Sequence, residues 1–427
     1  MLNPNYIYKG FGVIQSYLKH LILQFSGFSR GDPVFKTLKA LNVKEKKVIL
    51  RAGFDVPLDD DGNITDDTRI LAGLPTIKYL REQQAAIIII SHNHRPKGQV
   101  VEKLRNKNVS TKLSELLDKE VLYLEHVVGH EVREAASNLQ PGQILMLENL
   151  RFDKREEEAD DYFAKELAGL ADFYVNDAFS NSHRNHASMT GIPKHIPGCV
   201  GLIVENEVTN LQLDNPKKPL MVVLGGVKLE TKLPLIKDFL QTADKVLLGG
   251  AMIFTFYKAQ EFEIGKSLCD DTFVEEAKRL LEEGGDKLVL PSDVVVADAP
   301  EENSPNTDVS IYSMPPDKIG LDIGHESTAY FESILNDAKT VIWNGPLGLF
   351  EKTPFDRSSM AIAKKLAEIN AKTIAGGGDT AAVIDNAGVK DKISFVSTAG
   401  GASITMLEGK TLPAIAALEK NAELFFD

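Results

Sequence analysis

From about Lys46 onward, short runs rich in β-branched residues alternate with longer stretches of helical periodicity. Alternating strands and helices of this kind are typical of βαβ units, which assemble into parallel sheets with helices packed against them. The pattern therefore predicts an α/β fold built from doubly wound, Rossmann-like parallel sheets.

The strand candidates form two groups, one in each half of the chain. In the first half they are Val48–Leu50, Ala86–Ile90, Val121–Leu124, Ile144–Leu147, Phe173–Val175 and Val200–Val204. In the second half they are Leu220–Leu224, Lys245–Leu248, Lys287–Leu290, Thr340–Trp343, Thr373–Ala375 and Ile393–Val396. Because 427 residues are also too many for one ordinary core, two domains are expected.

A helical segment near Glu205–Leu213 separates the halves, and the polar stretch after it contains Pro216 and Pro219. Two prolines in a polar stretch mark a natural boundary. We therefore expect a first domain at residues 34–205, a hinge at 206–215 and a second domain at 216–409.

Arginine and histidine residues follow the predicted strands of the first half. They are Arg51, Arg69, His92, His94, Arg95, Arg151, His183, Arg184 and His186. Ligands bind beyond the carboxyl ends of strands in open α/β sheets, and arginine suits bidentate contact with phosphate or carboxylate. A surface salt bridge explains any one of these residues, but the set predicts a site for a small anion. The formal net charge of −13 argues against nucleic acid as a general partner, so this attraction must be local.

Glycines follow the predicted strands of the second half. The turns contain Gly225-Gly226, Gly249-Gly250, Asn344-Gly345, Gly376-Gly377-Gly378 and Gly400-Gly401. Glycine lets backbone N–H groups approach phosphate oxygens, and a helix N-terminus adds favourable partial charge. One such turn is weak evidence, but the repetition predicts a nucleotide-sized ligand. Neither a complete P-loop nor a GxGxxG fingerprint is present.

A domain that binds a small anion, a hinge and a domain that binds a nucleotide together suit phosphoryl transfer. Catalysis of that reaction consists mainly of positioning and charge neutralisation. Closing the hinge would bring the two substrates together and expel water.

The cysteines and histidines give no support to a metal site of their own. Cys199 and Cys269 have no CxxC spacing, and no HExxH spacing occurs. A reducing, cytoplasmic compartment is therefore expected. No apolar run approaches the roughly 18–20 residues that cross a bilayer, so no membrane partner is expected.

The first 33 residues form an extension of uncertain role. The first 31 hold Lys9, Lys19 and Arg30 but no acidic residue, and apolar residues recur there at helical spacing. Three hypotheses stay open: a leader upstream of the usual start, a helix packed on the body, and a targeting or membrane-surface helix.

From about Val43 onward the sequence resembles phosphoglycerate kinases. The matching strings are Phe54-Asp55-Val56-Pro57, Asp66–Ile70, Glu148–Phe152, Asn176–Phe179, Gly225–Lys232, Trp343–Glu351, Gly376–Thr380 and Ser397–Ser403. Several unrelated strings in the right order make the resemblance specific. It implies reversible phosphoryl transfer between ATP and the carboxylate of 3-phosphoglycerate, giving ADP and 1,3-bisphosphoglycerate. It also implies that residues 410–427 return to the first domain, and a hinge-closing enzyme of this layout is expected to be a monomer.

The resemblance also implies a role for each matching position. The 3-phosphoglycerate site would comprise Gly53, Asp55, Arg69, His92, Asn93, His94, Arg95, Arg151 and Arg184. The nucleotide site would comprise Lys228, Lys232, Gly249, Gly250, Asn344, Glu351, Gly377, Gly378, Asp379 and Thr380. The residues that would stabilise the phosphoryl group during its transfer are Arg69, Lys228, Gly378 and Gly401, with Gly400 beside them. Asp379 would bind Mg²⁺.

The sequence departs from the family pattern in the first half. Arg-Val-Asp-Phe-Asn-Val-Pro is usual, but this chain has Gly53 and Asp55 at the aspartate and asparagine positions. Asn93 and His94 likewise replace a Leu-Gly pair. Two alternatives follow: a catalytically weakened nucleotide-binding homologue that acts as a sensor or scaffold, and a kinase for another small acid.

We expect deletion of the residues before about Asp32 to leave kinase activity unchanged, because the resemblance begins only near Val43. Comparing the turnover of the shortened and full-length chains measures this. A large loss on truncation would count against the leader hypothesis.

Overall fold

The computed structural model describes residues 35–213 and 215–426. The N-terminal extension lies outside these ranges, and its three hypotheses stay open. The described chain forms two six-stranded parallel sheets and one three-stranded antiparallel sheet. Within these ranges, no helix is both long and apolar enough to cross a membrane.

The first parallel sheet has the strand order β3-β4-β2-β1-β5-β6. Its elements in chain order are β1 (Lys47–Ala52), α1 (Thr68–Glu82), β2 (Ala86–Ile90), α2 (Lys107–Leu117), β3 (Val121–Tyr123), α3 (His130–Asn138), β4 (Ile144–Met146), α4 (Lys154–Glu157), α5 (Asp161–Ala168), β5 (Phe173–Asp177), β6 (Gly198–Val200) and α6 (Leu202–Leu211). The central strand β2 reads AIIII and is buried throughout, as expected for a strand covered on both faces.

The second parallel sheet has the order β15-β14-β13-β7-β8-β9. Its half of the chain comprises β7 (Leu220–Leu224), α7 (Leu233–Thr242), β8 (Lys245–Leu248), α8 (Ile253–Ala259), α9 (Val274–Gly284), β9 (Leu288–Val289), β10 (Asp293–Ala297), β11 (Asn306–Ser310), β12 (Ile319–Ile323), α10 (His325–Leu335), β13 (Thr340–Asn344), α11 (Arg357–Leu366), β14 (Lys372–Gly376), α12 (Gly378–Asn386), β15 (Phe395–Ser397), α13 (Gly401–Leu407) and α14 (Pro413–Phe425). Strands β10, β11 and β12 form the antiparallel sheet, with β10 in the middle.

The predicted fold class is confirmed, and the predicted strand at Val200–Val204 is wrong over most of its length. The strand ends at Val200, and α6 begins at Leu202. A β-carbon at Gly201 would lie 2.3 Å from Asp177 Oδ1, so the chain can bend there only with glycine. Asp177 Oδ1 then accepts the Ile203 N–H at 2.8 Å, which satisfies a free donor of the first helical turn.

The last helix, α14, packs on the first half through a buried amide. Asn421 Nδ2 donates to Pro193 O at 2.6 Å and to Ile196 O at 2.8 Å. Asn421 Oδ1 accepts the Gly198 N–H at 2.8 Å, just where β6 begins. The side chain of Asn421 therefore satisfies three backbone groups of a segment more than 200 residues earlier in the chain.

We expect Asn421→Ala to destabilise the protein by about 2–3 kcal/mol, lowering the Tm by about 4–8 °C, because three buried backbone groups lose their partner. Asn206→Ala is the control, since Asn206 is exposed on α6. Differential scanning calorimetry of both variants measures the difference. Equal Tm values for Asn421→Ala and the parent would show that α14 contributes nothing to the stability of the first half.

Candidate active site

Arg51, at the end of β1, is buried and its guanidinium is fully engaged. Its exposed fraction is 1%. Nε donates to Ser188 Oγ at 3.0 Å, Nη1 donates to Ala52 O at 2.5 Å, and Nη2 donates to His92 Nδ1 at 2.9 Å. This arginine therefore belongs to the framework behind the predicted anion site and does not line it.

Asp55 lies among cations and polar hydrogens. Oδ1 accepts the His94 N–H at 2.8 Å, and Oδ2 lies 3.6 Å from His92 Nε2 and 3.7 Å from Arg69 Nη1. Burial raises the pKa of the Asp55 carboxyl, but the His92 ring, the His94 N–H and Arg69 together hold it well below the usual range. Its negative charge is thus balanced locally.

His92 is 1% exposed, and its Nε2 has no hydrogen-bond partner within the described residues. Burial lowers the pKa of the imidazole to about 3, with Arg51 and Arg151 lowering it further and Asp55 opposing them. The ring is therefore neutral at physiological pH. A buried donor without a partner is unusual in a folded protein and commonly indicates a ligand site.

A cavity of about 650 Å³ opens beside these groups. It is lined by Asp55, Val56, Pro57, Asp66, Arg69, His94 and Arg95. Arg69 lies in the first turn of α1, and its side chain is 46% exposed. Its Nη1 donates a hydrogen bond to the backbone carbonyl of Asp55. Of the predicted substrate residues, the cavity lining includes Asp55, Arg69, His94 and Arg95.

The other predicted substrate residues are not among those that line this cavity. Arg151 is buried and donates from Nη1 to His94 O at 2.7 Å, whereas Arg184 is exposed. Asn93 is buried, and its Oδ1 lies 2.8 Å from His94 Nδ1. A β-carbon at Gly53 would lie 3.5 Å from Ala178 Cα, an ordinary contact, so a side chain at this position is sterically possible.

The second cluster joins the ends of β13 and β14. Lys232 is buried, and its Nζ donates to Asn344 Oδ1. Asn344 Nδ2 donates to Gly376 O at 2.6 Å, and Thr380 Oγ1 accepts the Gly345 N–H at 2.8 Å. These bonds fix the lysine and the first turn of α12 on one edge of the sheet.

The start of α12 is open to a ligand. Gly377 has a φ of +104°, and a β-carbon at Gly378 would meet no atom within 4 Å. Asp379 is exposed in the first turn of this helix. Free N–H groups and an exposed carboxylate at one helix end can serve a phosphate and its metal ion together.

The other predicted nucleotide residues lie in neighbouring turns. Gly249 and Gly250 are buried after β8, and a β-carbon at Gly250 would lie 2.4 Å from Gly226 N. Glycine at position 250 is therefore required by close backbone packing. Lys228 and Glu351 are exposed in the loops after β7 and β13.

The two halves approach each other where α13 begins. A β-carbon at Gly401 would lie 3.2 Å from His183 Nε2, so the predicted catalytic glycine faces the first half. His183 is half-buried, and its Nδ1 has no partner among the described residues. His183 belongs to the strand-end residues from which an anion site was predicted, but the family resemblance gives it no role of its own.

Among residues 35–213 and 215–426, no group of three or more His, Cys, Asp or Glu side chains is arranged to hold a metal ion. Mg²⁺ commonly needs only one or two carboxylates plus substrate phosphates. The exposed Asp379 at a helix N-terminus therefore fits a magnesium ion that arrives with a nucleotide.

Comparisons with known proteins identify the family of the chain. A family model described as phosphoglycerate kinase matches residues 38–410. The chain is 49% identical over 395 residues to a phosphoglycerate kinase from Nostoc sp., covering 90% of this chain and 98% of that protein. It is 48% identical over 394 residues to the one from Nostoc punctiforme, with the same coverage. The solved structure of phosphoglycerate kinase from Coxiella burnetii superimposes with a TM-score of 0.84 at 37% identity, covering 91% of this chain and 100% of that one.

We expect the affinity for ADP to fall as pH rises through about 8. Burial lowers the pKa of Lys232 to about 8, with Asp379 opposing the shift, so its positive charge is present below that pH and lost above it. Titration calorimetry at several pH values from 7 to 10 measures the effect, expected to reach about tenfold.

Lys232→Arg stays charged at every pH tested and should show a flatter dependence. Lys237→Arg, on the exposed face of α7, is the control and should behave like the parent. Equal pH dependence in Lys232→Arg and the parent would exclude Lys232 as the titrating group.

Proposed function

The chain belongs to the phosphoglycerate kinase family, and we propose that its two clusters divide the phosphoryl transfer between ATP and 3-phosphoglycerate. It is a glycolytic and gluconeogenic kinase whose reaction is reversible. The first cluster binds the acid, and the second binds the nucleotide.

A carboxylate oxygen of 3-phosphoglycerate attacks the γ-phosphorus of ATP. The new O–P bond forms as the bond from the γ-phosphorus to the bridging oxygen breaks, and ADP leaves with that electron pair. The attacking carboxylate is already ionised, so no general base is required. The protein's task is to position the two anions and to balance the charge on the moving group.

The first cluster supplies cations and donors for the acid. Arg69 and Arg95 line the cavity, and Arg151 donates to the carbonyl of His94, which also lines it. We assign these three arginines, with Arg184, His92 and His94, to the phosphate and carboxylate of 3-phosphoglycerate. Arg69 is the residue of this group that also balances charge on the phosphoryl group in flight.

The second cluster supplies the nucleotide site. Lys228, Lys232 and Asn344 contact the phosphates, as do the N–H groups at Gly378 and Gly401. Glu351 contacts the ribose, and the turn at Gly249 and Gly250 contacts the adenine. Mg²⁺, when bound at Asp379, would neutralise part of the charge on the nucleotide's phosphates.

The domain organisation follows the same division. The acid-binding domain comprises residues 34–205 together with the returning segment 410–427, and the nucleotide-binding domain comprises 216–409. Residues 206–215 form the hinge, and closure brings Arg69 and Lys228 to the same phosphoryl group. We assign the enzyme to the cytoplasm as a monomer, without a nucleic acid or membrane partner.

The observation that supports this proposal is the approach of Gly401 to His183, because a turn after β15 in the second half there meets a loop after β5 in the first half. The comparisons give no support to the alternative of a weakened sensor or scaffold protein. A kinase for another small acid would use ATP only with a different acceptor.

The decisive experiment is ATP- and Mg²⁺-dependent phosphorylation of 3-phosphoglycerate, coupled to reduction of the acyl phosphate. We expect brisk turnover in the parent and a loss of about 10²–10³ in kcat for Arg69→Met, since charge balance in the transition state is removed. Arg81→Met, at the other end of α1, is the matched control and should retain parental kcat.

A Gly53→Asp, Asp55→Asn double variant tests the altered loop. Because Asp55 is already balanced by its neighbours, we expect the parent and this variant to differ by about tenfold or less in kcat/KM. A silent parent beside an active double variant would instead favour the binding-protein alternative.

A further inference from the structure

A continuous set of buried polar side chains lies behind the candidate acid site, and apart from His92 its members have no role in the proposal above. It runs from His92 through Arg51 and Ser188 to Glu156. Each of these side chains is at most 1% exposed. Buried charges at this depth are costly unless they are paired and hydrogen-bonded, so their arrangement needs an explanation.

The direction of every hydrogen bond in this set is fixed by chemistry. A guanidinium carries only donors, so Arg51 Nη2 must donate to His92 Nδ1 across 2.9 Å. Arg51 Nε likewise donates to Ser188 Oγ at 3.0 Å, and that hydroxyl donates onward to Glu156 Oε1 at 2.6 Å. The second oxygen, Glu156 Oε2, accepts the Ser188 N–H at 2.9 Å.

The position of the proton on His92 follows from these directions. Because Nδ1 accepts a hydrogen bond, it has no proton, and a neutral imidazole then carries its proton on Nε2. Nε2 lies 3.6 Å from Asp55 Oδ2, and no acceptor among the described residues lies within hydrogen-bonding distance of it. The Nε2–H donor therefore faces Asp55, which lines the cavity, and still lacks a short hydrogen bond.

We propose that Arg51 is a positioning residue that fixes the tautomer of His92, so that Nε2–H donates to an anionic oxygen of 3-phosphoglycerate. The inference rests on the proposed assignment of His92 to that substrate. Ser188 and Glu156 hold the guanidinium of Arg51 in place. The hydrogen bond from its Nη1 to Ala52 O also ties the guanidinium to the backbone at the end of β1.

The opposite tautomer would be harmful because it would direct the lone pair of Nε2 at an anion. The site would lose a donor and gain a repulsive contact. The ring stays neutral mainly because burial lowers the pKa of His92; Arg51 and Arg151 lower it further, and Asp55 opposes them.

The first test is nitrogen-15 NMR of the parent enzyme labelled at histidine, with the His92 signals assigned by their absence in His92→Gln. We expect the signature of an unprotonated Nδ1 and a protonated Nε2 from about pH 6 to 8. A protonated Nδ1 in the parent would overturn the proposal, whatever the kinetics show.

The second test compares Arg51→Met and Arg51→Lys with Arg105→Met. Arg105 is another largely buried arginine of the same half and donates to Glu148, not to His92. We expect both Arg51 variants to lose the single His92 tautomer and to raise the KM for 3-phosphoglycerate about tenfold, with kcat changed about twofold or less. Arg105→Met should retain the parental tautomer and KM.

The pH profile separates positioning from general structural damage. In Arg51→Met the pKa of His92 should rise because one charge that lowers it is lost, yet stay below the ordinary imidazole value because burial remains the main cause. The KM of this variant should therefore rise with pH through a transition that lies above the parental one. An Arg51→Met enzyme with the parental tautomer and a parental KM profile contradicts the proposal. If that variant does not fold, Ser188→Ala removes the link to Glu156 and should give a smaller rise in KM, while an unchanged KM would count against it.

These outcomes also separate the inference from the proposed function. Failure of the parent to phosphorylate 3-phosphoglycerate would reject the proposed function. The tautomer of His92 could still be determined by NMR in that case. An active parent with a mobile or reversed His92 tautomer would reject only the role of Arg51.

Discussion

The carboxyl edge of a parallel sheet is the constraint on which both clusters depend. Parallel strands all end on one side, so residues that are distant in sequence meet there without any dedicated connection. Arg51 and His92 meet because β1 and β2 are neighbours, and Asn344 meets Gly376 because β13 and β14 are paired in register. The buried strands supply rigidity, and the loops beyond them supply the chemistry.

Local balance of charge explains how an acidic chain can bind two anions. Hydrogen-bond acceptors fix the side chains of two arginines in the first half. Ser188 Oγ accepts from Arg51, and the backbone carbonyl of His94 accepts from Arg151. Asp55 lies within this set as a counter-ion with its own donors. In the second half, the proposed nucleotide site uses neutral backbone N–H groups and the buried Lys232 to balance the charge of the phosphates. The protein surface can therefore keep its negative net charge.

Much of the fold was accessible from sequence because strand pattern is a local signal, and strand-end composition likewise indicated where the candidate sites lie, although the roles of their residues stay predictions. The antiparallel sheet was missed because β11 reads NTDVS and carries almost no apolar signal. The bend at Gly201 was missed because it depends on Asp177, which a strand pattern does not reveal. The framework role of Arg51 was inaccessible for a similar reason: its partner Ser188 lies 137 residues away.

The return of α14 has a consequence for how the protein is made. The nucleotide-binding half lies between two segments of the chain that pack together, and Asn421 completes the hydrogen bonding around β6. During vectorial synthesis the first half therefore emerges from the ribosome early but lacks this helix until translation has passed residue 421. The second half is already available to fold by then, so the half that is translated first is the half that is completed last.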